Sequence, residues 1–181
     1  CHVLPRQVSA LLVPLRRLVE TLSRPDRIPQ IEVAVGDEVV ALVLRHLEPL
    51  LDADHDKLKG FADEYGVTWW LQPKGPDSIY PLIPGDEERL YYSLPQFGLT
   101  MRYRPTDFTQ VNHAMNRSLV SRALNLLDPQ PDDRVADMFC GLGNFTLPLA
   151  TMSRDVVGIE GSETLTQRAL DLARRHGLDG R

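Results

Sequence analysis

The chain has 181 residues, 43% of them hydrophobic and 25% charged, with a formal net charge of -5. That length and apolar content suffice for one ordinary domain or two small ones and exclude a disordered or fibrous class. The acidic balance argues against nucleic-acid binding by bulk electrostatics alone, while leaving room for a local basic groove. Two cysteines are too few for a disulfide framework, which points to a reducing, cytoplasmic compartment. No apolar run approaches the roughly 20 residues of a membrane helix, so no membrane partner is expected. The opening CHVLPRQ has neither an initiator Met nor a signal-peptide layout, and the chain is therefore expected to be a piece of something longer.

In chain order, QVSALLVPLRRLVETL carries leucines and valines at helical spacing, with Pro14 as an expected kink or boundary. IEVAV and VVALVLRH alternate with period two and join through Gly36 and Asp37, which predicts a hairpin. DADHDKLKGFADEYG predicts a helix with Leu58, Phe61, Ala62 and Tyr65 on one face and a capped, solvated acidic start. VTWWLQP reads as a strand whose two tryptophans, Trp69 and Trp70, point to opposite faces, one to a core and one to a surface or domain contact. Turn-rich sequence around Pro73, Gly75 and Pro76 leads to two more strand candidates, RLYYSL and LTMRYRP. Residues 1–104 are thus expected to form a small α+β domain, incomplete at its start.

The pattern changes after Pro105. NHAMNRSLVSRALNLLDP predicts a helix that buries Met115, Leu119, Ala123, Leu126 and Leu127 and stops at Asp128 and Pro129. RVADMFC is a nearly continuous apolar run, as expected of a parallel strand buried on both faces. GLGNFTLPLATM then opens a helix, DVVGIE is a second buried strand, and SETLTQRALDLARRHG is a helix with Ser162 as N-cap and Gly177 as its stop. Strand, glycine turn, helix, strand, helix is the beginning of a doubly wound α/β fold, placed at 105–181. Two strands cannot cover their own sheet edge, so further sheet is expected beyond them.

The stretch DMFCGLGNFT, Asp137 to Thr146, is the turn between the first strand and its helix. Gly141 and Gly143 stand where the backbone must turn sharply and approach a ligand closely, and N–H groups at the following helix start would face a carboxylate or phosphate. Glu160, ending the second strand, is placed like the acid that accepts hydrogen bonds from ribose hydroxyls in such folds. Asn144 can cap the helix or bond the ligand. A nicotinamide site prefers G-x-G-x-x-G, and Thr146 stands where its third glycine would be.

DFTQVNHAMNRSLV, DRVADMFCGLGNFTLPLA and VVGIEG together resemble the RNA (uracil-5-)-methyltransferase family, in the branch that acts on a uridine of 23S ribosomal RNA. The likeness is strong from Asp107 to about Leu178 and weak from Cys1 to about Leu12. It implies a class I, Rossmann-like methyltransferase domain and S-adenosylmethionine as cofactor. Gln110, Phe139, Asn144 and Glu160 fall on the family's cofactor-contact positions, and Phe108 on a position near the flipped target base. In the chemistry so implied, a cysteine thiolate adds to C6 of uracil, C5 takes the methyl group, and a base removes the C5 proton. The family's nucleophile lies in an S-C-N-P-like stretch and its proton acceptor further on; this sequence contains neither, so the chain alone is expected not to turn over.

The resemblance also implies a 4Fe-4S cluster held by four cysteines in the full-length parent, with Cys1 on the segment that bears one ligand. A single cysteine cannot hold such a cluster, and none is expected in this chain. Cys140 is expected to be a small residue beneath the cofactor rather than a nucleophile. His113 is expected to be solvent-facing or a cap, and Arg102, Arg104, Arg117 and Arg122 to line an RNA groove or to be solvated. The remaining alternatives are a non-catalytic RNA-binding or assembly module, and a methyltransferase for another ribosomal or transfer-RNA uridine.

Overall fold

The computed structural model describes residues 4–180, and the chain divides into two compact units, Cys1–Leu90 with Arg104–Asp107, and Tyr91–Tyr103 with Phe108–Arg181. The first unit opens with α1 (Arg6–Thr21), which runs unbroken across Pro14, so that proline is not a boundary. β1 (Gln30–Val35) and β2 (Val40–Arg45) form the expected antiparallel hairpin, closed by Gly36 N–H donating to the Val39 carbonyl. α2 (Asp52–Tyr65) crosses over so that β3 (Val67–Gln72) pairs parallel to β2, and a two-residue β4 (Tyr80–Pro81) closes the sheet, order β1-β2-β3-β4. β4 falls within sequence read only as turns.

One face of this sheet, with Leu42, Leu44, Trp69 and Leu71, buries Val8, Leu11 and Leu15 of α1 and Leu58, Phe61 and Ala62 of α2. Every residue of β3 is buried, and both Trp69 and Trp70 are 1–2% exposed, so neither lies at a free surface. Asp54 corrects the expectation of a solvated acidic helix start. It is buried, its Oδ1 accepts from the Ser23 N–H and hydroxyl, and its Oδ2 accepts from the Leu51 N–H. Burial raises the Asp54 carboxyl, but those donors, with Lys57 nearby, more than offset it and hold the pKa below the ordinary carboxylate value.

The second unit contains an antiparallel hairpin of β5 (Tyr91–Leu94) and β6 (Leu99–Arg102), then α3 (His113–Leu127), β7 (Arg134–Met138), α4 (Thr146–Met152), β8 (Asp155–Ile159) and α5 (Glu163–Arg175). The hairpin is tied into this unit by the Arg117 guanidinium on the Ser93 carbonyl, by Ser121 on Gln96, and by His176 Nε2 at 3.0 Å from the Thr100 carbonyl. β7 and β8 pair in parallel, with Val135 opposite Val156 and Met138 opposite Ile159. Val120 and Leu124 of α3 and Leu149 of α4 pack on Val135 and Val156.

Two expectations fail here. α3 turns Asn116, Val120 and Leu124 inward and leaves Met115, Leu119, Leu126 and Leu127 exposed, so the leucine-rich stripe is not its core face. The helix is apolar around much of its circumference, and the packing of Val120 and Leu124 on Leu149 selects the face. Among the described residues, β7 and β8 are covered on one face only. Ala136, Met138, Val157 and Ile159 share the other, exposed face, because among the described residues α3 and α4 pack on the Val135–Val156 side.

Candidate cofactor-binding site

The loop Phe139–Phe145 between β7 and α4 lies at the carboxyl end of the parallel pair, the end at which α/β sheets present ligand sites. It is anchored to the neighbouring strand by Cys140 N–H donating to the Ile159 carbonyl at 3.0 Å, and it turns through Gly143 N–H to the Cys140 carbonyl at 2.8 Å. Three of its residues have left-handed backbone: Phe139 (φ 63), Gly141 (φ 56) and Gly143 (φ 88). At Gly143 a Cβ would collide with the Leu147 side chain, whereas at Gly141 the space is open. Phe139 adopts a conformation that costs a non-glycine residue stability, and its ring is 86% exposed.

Glu160 completes the loop from the second strand. Its Oε2 accepts from the Gly141 N–H and its Oε1 from the Ser162 N–H, both at 3.0 Å. These backbone donors, Ser162 first and then Gly141, hold the carboxyl below its ordinary value against a smaller opposing effect of desolvation. The group is therefore an ionised acceptor near neutral pH, with its direction fixed by the loop it faces. Ser162 also caps α5 through the Leu165 N–H.

Asp137 and Cys140 fasten the loop from below. The Thr146 hydroxyl donates to Asp137 Oδ2 at 2.6 Å, joining the end of β7 to the start of α4. Burial, and then the carboxylates of Asp137 and Glu160, push the Cys140 thiol above its ordinary pKa despite a hydrogen bond with Thr146, so the group is a thiol and not a thiolate near neutral pH.

Asn144 does not cap α4, whose N-cap is Phe145 with no side-chain hydrogen bond. Its carboxamide pairs with Asn116 and accepts from the Tyr92 hydroxyl at 2.9 Å. Asn116 and Tyr92 were not singled out by sequence reasoning. A signal existed, because Asn116 stands four residues before Val120 on the inward stripe, and a buried polar residue there requires a partner. Burial, reinforced by Tyr103, keeps the Tyr92 hydroxyl protonated well above its ordinary pKa. Gln110 and Phe108 lie in the exposed stretch before α3, Phe108 at 85% exposure, and no hydrogen bond among the described residues joins either to the loop. His113 is the first residue of α3, with its ring 5.2 Å from that of Tyr92; the cap is Asn112, which accepts from the Met115 N–H. Cys1 lies outside the described residues, and among those described no three His, Cys, Asp or Glu side chains cluster as metal ligands.

Residues 85–175 match the family model described as tRNA (Uracil-5-)-methyltransferase. The chain belongs to this family. It is 66% identical over its whole length to the 23S rRNA (uracil(1939)-C(5))-methyltransferase RlmD of Bordetella avium, and 64% identical to the RlmD protein of Cupriavidus necator. It spans only 38% and 41% of those two relatives. Among solved structures it is similar to the Pyrococcus abyssi tRNA (uracil-54, C5)-methyltransferase in complex with S-adenosyl-L-homocysteine, with a TM-score of 0.54 at 21% identity over 79% of this chain and 34% of that one. That likeness carries the fold, which is α/β with the Rossmann-like beginning of a methyltransferase domain. Among the described residues no helix is long and apolar enough to cross a membrane.

Proposed function

We propose that this chain is part of a cytoplasmic enzyme that transfers a methyl group from S-adenosylmethionine to C5 of uridine 1939 in 23S ribosomal RNA. Residues 1–104 would span its central α+β domain and 105–181 the start of its cofactor domain, with the β5–β6 hairpin, 91–102, packed in the same compact unit as the latter. The observation that carries the reading is the junction of Glu160 with the Gly141 N–H at the carboxyl ends of β7 and β8. This uridine is favoured over another ribosomal or transfer-RNA uridine by the 66% identity to an RlmD protein across the whole chain.

The site's donors and acceptors fit that cofactor. A carboxylate offers about four lone-pair positions; the backbone N–H groups of Gly141, Ser162 and Gly161 engage it, and the remaining capacity would accept from a ribose hydroxyl. The open space at Gly141 admits a ligand against the backbone, and the exposed Phe139 ring offers an apolar face. Gln110 and Asn144 would supply polar contacts, and Phe108 an aromatic surface for the extruded base. When bound, the cofactor supplies a sulfonium methyl group. The residues of this chain bind and orient it; the thiol of Cys140, held protonated, is not the nucleophile. An iron–sulfur cluster would belong to the full-length protein.

In the natural full-length protein, Glu160→Ala is expected to weaken S-adenosylhomocysteine binding roughly tenfold to a hundredfold, the cost of removing a charged acceptor. Calorimetry on a variant with unchanged melting temperature checks this. Unchanged affinity would remove the ribose role from Glu160.

A further inference from the structure

The carboxamide of Asn144 is held from two sides. Asn116 Nδ2 donates to Asn144 Oδ1 at 2.9 Å while Asn144 Nδ2 donates to Asn116 Oδ1 at 3.0 Å, closing a reciprocal amide pair. The Tyr92 hydroxyl donates to the same Asn144 oxygen at 2.9 Å. Asn116 and Tyr92 are 2% and 3% exposed, and Asn144 is the member of the three that is not buried. An amide in the interior of a helix, at a position where Val120 and Leu124 continue the buried stripe, costs stability unless its polar atoms are paired.

The pairing also fixes orientation. A carboxamide has two lone pairs on oxygen and two N–H donors. Asn116 and Tyr92 occupy both lone pairs of Asn144 Oδ1, and the amide pair uses one of its N–H groups. The second N–H of Asn144 is left in a direction that the other three bonds dictate. Since Asn144 directly follows Gly143, one helix and one hairpin thereby set the aim of a donor at the glycine loop.

We propose that Asn116 and Tyr92 are positioning residues of the cofactor site, which set the affinity for S-adenosylmethionine by orienting the free N–H of Asn144 and do not touch the cofactor themselves. The inference rests on the cofactor reading given under Proposed function. It makes the three residues one unit, so their contributions to binding are not additive.

A double-mutant cycle in the natural full-length protein tests it, with S-adenosylhomocysteine affinity read by calorimetry and folding read by melting temperature. Asn144→Ala and Asn116→Ala are each expected to weaken binding about tenfold, and the double variant no more than Asn144→Ala alone. Tyr92→Phe, which keeps the ring and the amide pair, is expected to weaken binding severalfold. A merely structural role would lower the melting temperature and leave the affinity of the folded protein unchanged. Asn116→Asp supplies a further readout and serves if the alanine variant does not fold. Its neutral carboxyl can donate and accept like the amide, while its carboxylate can only accept. Affinity should therefore fall as pH rises through the pKa of the introduced group, in a way absent from the wild type. Additive losses in the cycle, or unchanged affinity in folded Asn116 variants, would overturn the positioning role alone. Failure of the wild type to bind S-adenosylhomocysteine would overturn the cofactor reading and this inference together.

Discussion

Asp54 accepts hydrogen bonds from the Ser23 N–H, the Ser23 hydroxyl and the Leu51 N–H, so one carboxylate joins the segment after α1 to the first turn of α2. Removing it strands three donors. Asp54→Ala is expected to destabilise the chain by about 1–3 kcal/mol in denaturant titration. The sign of its pH dependence follows from a folded pKa depressed below the unfolded value of about 3.9. Its contribution is present in full above that value and is lost as pH falls through the folded pKa. The stability gap between the wild type and Asp54→Asn should hold steady through neutral pH and narrow only in the acid range. A gap that grows on acidification would contradict the assignment. Phe139 shows a different use of a single residue: left-handed backbone at a bulky side chain is kept where its ring projects outward beside Gly141, the pattern expected when strain serves a ligand.

At the scale of elements, Gly158 decides how closely β8 can lie beneath α4. A Cβ there would meet the Cys140 Sγ at 2.9 Å and the Thr146 Cγ2 at 3.1 Å. Gly158→Ala must push the thiol aside, and an adjoining cavity of about 220 Å³ gives it somewhere to go. The expected cost is about 1–3 kcal/mol of stability, with weaker S-adenosylhomocysteine binding because Cys140 carries the loop. A variant as stable as the wild type, by thermal melting, would show that the loop accommodates the methyl group freely. Apart from β4, the order of helices and strands was legible because β1 and β2 are short β-branched runs joined through Gly36 and Asp37, α5 carries its Ser162 cap, and the glycine turn announces a strand-to-helix switch. β2 itself does not alternate, being buried from Val40 to Leu44. The inward face of α3 was not legible, since leucines surround the helix and only its packing partners, Leu149, Val135 and Val156, select the rotation that buries Val120 and Leu124. The one-sided burial of β7 and β8 was hidden for a related reason: an apolar strand records what its faces are suited to, not which helices are present to cover them. Of the candidate site, the placement of Glu160 and the glycines at the carboxyl ends of β8 and β7 could be read directly, because it follows from the strand ends. The fixed direction of Asn144 could not, because it depends on residues 28 and 52 positions away.

For the molecule as a whole, net charge and exposed apolar surface pull in opposite directions. A formal charge of -5 favours dispersion, while Met138, Val157 and Ile159 lie 56%, 50% and 45% exposed on one contiguous sheet face. The 181-residue chain produced alone is expected to bind an environment-sensitive apolar dye at this face. Replacing Val157 and Ile159 together by threonine keeps strand propensity and should remove most of the fluorescence while shifting stability by no more than about 0.5 kcal/mol per site. Undiminished dye binding would place the sticky surface elsewhere. The β7–β8 ladder has one more consequence. The Cys140 amide proton is bonded to Ile159 across that ladder, and the adjacent Gly141 amide is bonded to Glu160. In deuterated solvent these two protons can exchange only when the strands part or the loop lifts, and each of those events also scatters the groups assigned to the cofactor. Their protection therefore measures, proton by proton, the fraction of molecules in which the site exists at all.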